Sequence, residues 1–162
     1  MPGFRTMRPL MAGMLLLMPT LSQAHELEVD SLRIAHPFST PMPAAAPHGA
    51  AYVDIMAGED DAVLTGASSP VSKAVEVHDM QRDGDRMKMR KLEELRIDAG
   101  DTVSMRPGGG PHLMLIGLEE SLEEGERFPL TLQFADREPI DITVPVQTSA
   151  TGDETTDANH GH

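Results

Sequence analysis

The stretch Val75-Glu76-Val77-His78-Asp79-Met80 shows the pattern that decides the fold, because its valines alternate with other residues at a period of two. Successive side chains of a strand point to opposite faces of a sheet, so Glu76, His78 and Met80 share the face that the valines do not use. Such alternation predicts a half-buried β-strand. If the valine face packs inward, His78 and Met80 point away from the core.

The same alternation recurs along the chain. It is found in Ala51-Val53-Ile55, Leu113-Leu115, Leu130-Leu132-Phe134 and Ile140-Ile142-Val144-Val146. Turn-forming residues separate these runs, as in Asp83-Gly84-Asp85 and the segment Pro107 to Pro111. Short strands divided by turn signals predict an all-β fold, namely a Greek-key β-sandwich or barrel. The proline-rich segment 36–48 interrupts the pattern and is predicted to be an extended loop.

The two ends of the chain differ from the middle. Arg5 and Arg8 precede an almost wholly apolar run, and Ser22-Gln23-Ala24 is similar to a cleavage site, so residues 1–24 are predicted to be a cleavable secretory signal peptide. We therefore expect a periplasmic location. Residues 25–147 are expected to form one β-sandwich domain, and residues 148–162 a disordered acidic tail that ends in His-Gly-His.

Charge and cysteine content exclude several classes of function. The formal net charge is −13, and loss of the two arginines in the signal peptide would make it −15. Nucleic acids and anionic membrane surfaces require a basic footprint, so neither is an expected partner. No stretch is long and apolar enough to predict membrane insertion. The chain has no cysteine, which leaves neither disulfides nor thiolate ligands.

A second His-x-Met pair occurs at His112-Leu113-Met114, where Leu113 again takes the opposite face. Thioethers are soft and uncharged, so mixed Met/His sets favour Cu(I) over harder divalent metals. The competing interpretation is that the methionines fill the core, as single methionines commonly do. Two His-x-Met pairs opposite aliphatic runs argue against it, whereas Met89 could still be a core residue.

The region from Ala51 to Val146 resembles the periplasmic copper chaperone family often written PCu(A)C. The matching stretches are Gly66-Ala67-Ser68-Ser69-Pro70, Val75-Glu76-Val77-His78-Asp79-Met80, Met87-Lys88-Met89-Arg90, Pro107-Gly108-Gly109, His112-Leu113-Met114-Leu115-Ile116-Gly117-Leu118 and Pro129-Leu130-Thr131-Leu132. The resemblance implies a cupredoxin-like fold, which is close to the immunoglobulin-like Greek key.

The copper motif of that family is a His, a Met after about ten intervening residues, and a His-x-Met after about twenty-one more. Here ten residues separate His78 from Met89, and twenty-two separate Met89 from His112. We expect the loop before His112 to absorb the additional residue. The resemblance implies that His78, Met89, His112 and Met114 are Cu(I) ligands.

The resemblance further implies a non-enzymatic Cu(I) chaperone, and we expect the protein to be a monomer. Its copper would go to a copper-accepting protein, either a cytochrome oxidase subunit or a thiol-bearing assembly factor. His160 and His162 could bind a second copper as Cu(II), although a lone His-x-His pair in a tail is weak support. Three alternatives stay open: a copper sequestration and tolerance protein, a non-metal β-sandwich interaction domain, and a cuproenzyme built on His25.

Overall fold

The computed structural model describes residues 26–148, which form eleven β-strands and, within that range, no helix. The strands are β1 (Glu26–Val29), β2 (Leu32–Ser39), β3 (His48–Ala57), β4 (Ala62–Ser68), β5 (Ser72–Asp83), β6 (Arg86–Lys91), β7 (Leu95–Ile97), β8 (Thr102–Ser104), β9 (Gly110–Leu118), β10 (Arg127–Phe134) and β11 (Ile140–Pro145). The predicted all-β class is confirmed.

The strands form one continuous antiparallel sheet in the order β1-β2-β3-β9-β5-β4-β10-β11. Strands β6, β7 and β8 extend it by pairing with β5, β4 and β3. A parallel bridge from Ser39 to Val146 links the end of β2 to the end of β11, so the sheet curls into a nearly closed barrel. In this arrangement β9 is central, with β3 on one side and β5 on the other.

The interior of the barrel is aliphatic and is supplied by the alternating residues of the sequence. Val75 and Val77 from β5 lie in it, and so do Leu113 and Leu115 from β9, which are fully buried. These four residues are register partners, because Val75 lies opposite Leu115 and Val77 opposite Leu113. Burial of this face turns the other face of β5 and β9 away from the core.

The segment 36–48 was predicted to be a loop, but β2 continues through Ser39 and β3 begins at His48, so the prediction is wrong for its first four residues and for its last. The reason for the first difference is a β-bulge. His36 has a left-handed φ of 49°, and the register with β3 shifts between Ala35 and Phe38. The bulge accommodates Pro37 within the strand, since a bulged residue need not donate to the ladder.

The predicted signal peptide, residues 1–24, and nearly all of the predicted acidic tail lie outside the described residues. Inside the described range, no helix has the length and apolar character needed to cross a membrane.

Candidate metal centre

His78 on β5 and His112 on β9 are direct register partners across two adjacent strands. Their ring centroids are 5.9 Å apart. Val77 precedes His78, Leu113 follows His112, and these two apolar residues lie opposite each other in the core. The same strand register therefore brings the two imidazoles together on the other face of β5 and β9. The alternation of the sequence therefore brings together two histidines that are 34 residues apart.

His78 has one ring nitrogen held and one left open. Its Nε2 lies 2.8 Å from Oε2 of Glu76, on the same face of β5. That contact lowers the pKa of Glu76, with a smaller contribution from Lys91, so the carboxylate is charged and accepts a hydrogen bond from the Nε2–H group. The Nδ1 atom is buried and has no hydrogen-bond partner among the described residues. A carboxylate that orients a histidine in this way is typical of metal ligands.

The imidazole of His112 is oriented through Nδ1, whereas that of His78 is oriented through Nε2. Its Nδ1 lies 3.4 Å from the carbonyl oxygen of Gly110, which leaves Nε2 open. The residue is 8% exposed, and burial lowers the pKa of its imidazole. The ring is therefore neutral at neutral pH, which is the form that binds a metal ion.

The methionines reach the same region from different strands. Met114 lies on β9 two residues beyond His112 and opposite Glu76. Met89 lies on β6 opposite Met80 of β5, and 45% of it is exposed. The open interpretation that Met89 fills the core is therefore wrong, because β6 projects beyond the barrel and all six of its residues are exposed.

A cavity of about 240 Å³ lies between these side chains. Three of the four predicted ligands, Met89, His112 and Met114, line it, and His78 lies beside His112 without lining it. The other lining residues are Thr40, Met42, His48, Gly49, Ala50, Tyr52, Met80, Arg106, Gly108 and Gly109. The cavity thus holds four methionines, of which Met42 and Met80 were not predicted ligands.

An ion pair anchors the loop that leads into β9. Arg106 donates to both carboxylate oxygens of Asp54, at 2.6 and 3.0 Å, and His36 lies 2.9 Å from the same carboxylate. Burial raises the pKa of Asp54, but the hydrogen bonds from Arg106 and His36 outweigh burial and lower it overall. Arg106 also bridges to Gly109, so a buried carboxylate on β3 fixes the segment just before His112.

No periodicity in the sequence predicts the contacts among His36, Asp54 and Arg106. Asp54 is 18 residues from His36 and 52 from Arg106. The contact depends on the bulge at His36 and on the pairing of β3 with distant strands. The one available signal was Asp54 itself, an acidic residue on an otherwise apolar strand.

The donor chemistry is soft. Within residues 26–148, no group of three or more His, Asp or Glu side chains is arranged to hold a metal ion. Harder divalent cations would need such oxygen- and nitrogen-rich clusters. Two imidazoles beside thioethers suit a monovalent soft ion better. His25, His160 and His162, the other histidines considered for copper, lie outside the described residues.

Residues 32–146 match the family described as "Putative lipoprotein LpqE-like". The chain belongs to this LpqE-like family. A curated relative, "Putative lipoprotein Lxx21020" of Leifsonia xyli subsp. xyli, is 33% identical over 100 residues. The match covers 60% of this chain and 60% of that relative, so the chain spans less than two thirds of the relative's length.

Solved structures share the fold. One, "Copper-bound PCuAC domain from PmoF2", has a TM-score of 0.65 at 20% identity and covers 77% of this chain and 99% of its own. A second, "Solution structure of CuI-DR1885 from Deinococcus Radiodurans", has a TM-score of 0.57 at 24% identity, covering 68% and 74%. The LpqE-like chain therefore has the β-barrel fold of PCuAC domains, as the predicted resemblance required.

Proposed function

We propose that this LpqE-like protein binds Cu(I) through His78, Met89, His112 and Met114 and carries the ion to another protein. The observation that supports this most directly is the pair of opposed imidazoles. Each has one nitrogen occupied by a protein acceptor, and His78 Nδ1 is buried without a partner. A buried nitrogen without a hydrogen bond is costly unless something else binds it. A metal ion would satisfy it.

The structural relatives add support from their printed descriptions. The description of the PmoF2 domain says that it is copper-bound, and the description of DR1885 names its Cu(I) form. These descriptions apply to the relatives, and the shared fold makes copper the natural ion to test here. The described residues offer the donor types that select Cu(I), namely imidazole and thioether.

Transfer follows from the charge and exposure of the ligands. Four neutral ligands leave the bound ion with a charge of about +1, so release does not require separation from a bound anion. Met89 is 45% exposed, so an incoming thiolate can replace its thioether first while His112 still holds the ion. A carrier of this kind needs no catalytic turnover. The expected acceptor remains a cytochrome oxidase subunit or a thiol-bearing assembly factor.

We place the protein outside the cytoplasm, in the periplasm, because residues 1–24 have the pattern of a signal peptide and because the descriptions of the family and of the curated relative both contain the words "Putative lipoprotein". Thioether and imidazole ligands suit that compartment. Thiols there tend to oxidise to disulfides, whereas these ligands cannot form one. The tail pair His160 and His162 offers two further imidazoles for a second copper, as Cu(II).

The test is a competitive Cu(I) titration of the mature protein against bicinchoninate. His78→Ala, Met89→Leu, His112→Ala and Met114→Leu should each weaken binding, and X-ray absorption of the loaded protein should show both sulfur and nitrogen neighbours. Met56→Leu serves as the control, since Met56 does not line the cavity. Unchanged affinity in all four ligand variants would reject the proposed site.

A further inference from the structure

The projecting end of the β5–β6 hairpin, residues 82–91, has an unusual charge for this chain. Residues 82–91 contain five of the eleven Lys and Arg residues found in 26–148, and only two of the 23 acidic residues in that range. The rest of the described chain carries six basic residues against 21 acidic ones. A basic projection therefore stands out from an acidic body.

Much of this positive charge is not neutralised within the protein. Lys88 pairs with Asp83, and Lys91 lies 3.2 Å from Glu76. For Arg82, Arg86 and Arg90, the described part of the chain supplies no ion-pair partner. All of β6 is exposed, and β6 pairs with β5 alone, so these side chains face solvent at the free edge of the sheet.

The same hairpin presents sulfur. In register, Met89 lies opposite Met80, and Met87 lies opposite Arg82, on the face that also holds His78. Met87 and Met89 are 47% and 45% exposed, which makes them, with Leu27, the exposed large apolar side chains of the described residues. One proposed copper ligand thus lies on the basic projection, within reach of a docked protein.

We propose that the β5–β6 hairpin is the docking surface for an acidic, thiolate-bearing protein domain that exchanges Cu(I) with Met89. This inference rests on the proposed function. Charge complementarity favours such a partner, because opposite potentials steer association, and mutation of rim charges changes the rate of association more than the strength of contact. Docking at the hairpin brings the partner's ligands to the exposed thioether before they reach buried His112.

An anionic membrane is a poorer fit for the same charges. A flat bilayer surface would also approach the acidic body of the protein, which carries 21 of the acidic residues. A protein partner of limited area can contact the hairpin and avoid that repulsion. A third possibility is that the basic residues only protect an open sheet edge from pairing with other chains. Each of these alternatives predicts a different experimental result from docking of an acidic protein.

The experiment uses two synthetic peptides with the same Cys-x-x-x-Cys pair, one flanked by Glu and the other by Lys. Cu(I) transfer from the mature protein to each peptide is followed by stopped flow at low and high salt. We expect the double variant Arg82→Glu/Arg90→Glu, which changes one charge on the face of Met89 and one on the opposite face, to slow transfer to the acidic peptide by about tenfold and to remove most of its salt dependence. The basic peptide should react faster with the variant than with the wild type.

Lys73→Glu/Arg137→Glu is the matched control, because it changes the net charge equally at positions away from the hairpin. It should change the rate by less than about twofold. Equal slowing in the two double variants would show that only net charge matters and would overturn the proposal. Equal rates in all proteins would leave edge protection as the role of the basic residues and would also overturn it.

Two further measurements separate this proposal from the copper site. The Cu(I) affinity of both double variants should equal that of the wild type, so a loss of affinity there would contradict a pure docking role. In metal-free ¹⁵N-labelled protein, the acidic peptide should cause amide chemical-shift changes confined to residues 82–91, and the basic peptide should cause none. This result does not depend on whether the protein binds copper. Stronger binding to phosphatidylglycerol vesicles than to the acidic peptide would overturn the choice of partner.

Discussion

His112 and Met89 occupy opposite extremes of one proposed site. His112 lies on β9, flanked by β3 and β5, and is 8% exposed. Met89 lies on β6, which has a single neighbour, and is 45% exposed. One half of the proposed site therefore lies in the barrel wall, which here means β3, β9 and β5, and the other half lies on the projecting β5–β6 hairpin. A carrier benefits from both, because the wall fixes ligand geometry and the projection lets a partner take the ion.

The barrel wall and the hairpin also differ in the contacts that stabilise them. The wall has buried leucines and valines behind it and a buried carboxylate, Asp54, on β3. The hairpin has no buried residue in β6 and contains a tight turn at Gly84, whose φ of 64° favours glycine. Substitutions in the wall should therefore cost far more stability than matched substitutions in the hairpin or at other exposed edges.

The largest effect is expected from Leu113→Ala, behind His112. Leu113 is fully buried, and loss of its side chain in a packed core should lower the free energy of unfolding by about 3 kcal/mol. Urea denaturation of the metal-free protein measures this. Leu27→Ala, at a leucine that is 38% exposed on edge strand β1, should cost less than about 1 kcal/mol. Similar losses in the two variants would contradict the distinction between wall and edge.

Asp54→Asn should follow, with a loss of about 2 kcal/mol, because Arg106 would lose a charged partner. Asp83→Asn removes the exposed partner of Lys88 in the hairpin and should cost less than about 1 kcal/mol. The pKa of Asp54 is lowered in the folded protein, so its contribution is present above the unfolded value of 3.8 and is lost as the pH falls below it. The gap between wild type and Asp54→Asn should therefore close in acid.

The wall was largely predictable from sequence, because alternation alone assigns Val75 and Val77 to one face and His78 to the other. The contact between His78 and His112 was not predictable from alternation. It requires β5 to pair with β9, strands that are distant in sequence, and the register of such a pair is set by packing of the whole core. The proposed ligand set therefore depends on the family resemblance, which requires no knowledge of the register.

The hairpin was harder to predict than the wall. Met87 and Met89 alternate with Lys88 and Arg90, a pattern that equally fits a strand with methionines in the core. Exposure follows only from the length of β5, which runs past the barrel and carries β6 with it. The basic cluster was visible in the sequence, but its isolation on one projection depends on the fold.

Glu76→Gln addresses how the wall orients its ligands. The charged Glu76 carboxylate accepts from His78 Nε2, so the amide should hold the imidazole less firmly and weaken Cu(I) binding by about tenfold. A bicinchoninate competition measures the affinity. Glu138→Gln, at an exposed glutamate away from the cavity, is the control and should leave affinity unchanged. If both variants bind Cu(I) as the wild type does, Glu76 has no orienting role.

The smallest effect is expected from Met87→Leu, and its value lies in the comparison with Met89→Leu. The two methionines share one strand, one face and nearly the same exposure, 47% and 45%. They differ in position: Met89 lies one alternation from the row of His78 and Lys91, and Met87 lies two. Met87→Leu should change unfolding free energy by less than about 0.5 kcal/mol and Cu(I) affinity by less than about twofold, whereas Met89→Leu should weaken binding. Equal losses of affinity in the two variants would mean that the hairpin bends to bring both sulfurs to the ion, and the distinction between a fixed wall and a single exposed ligand would no longer hold.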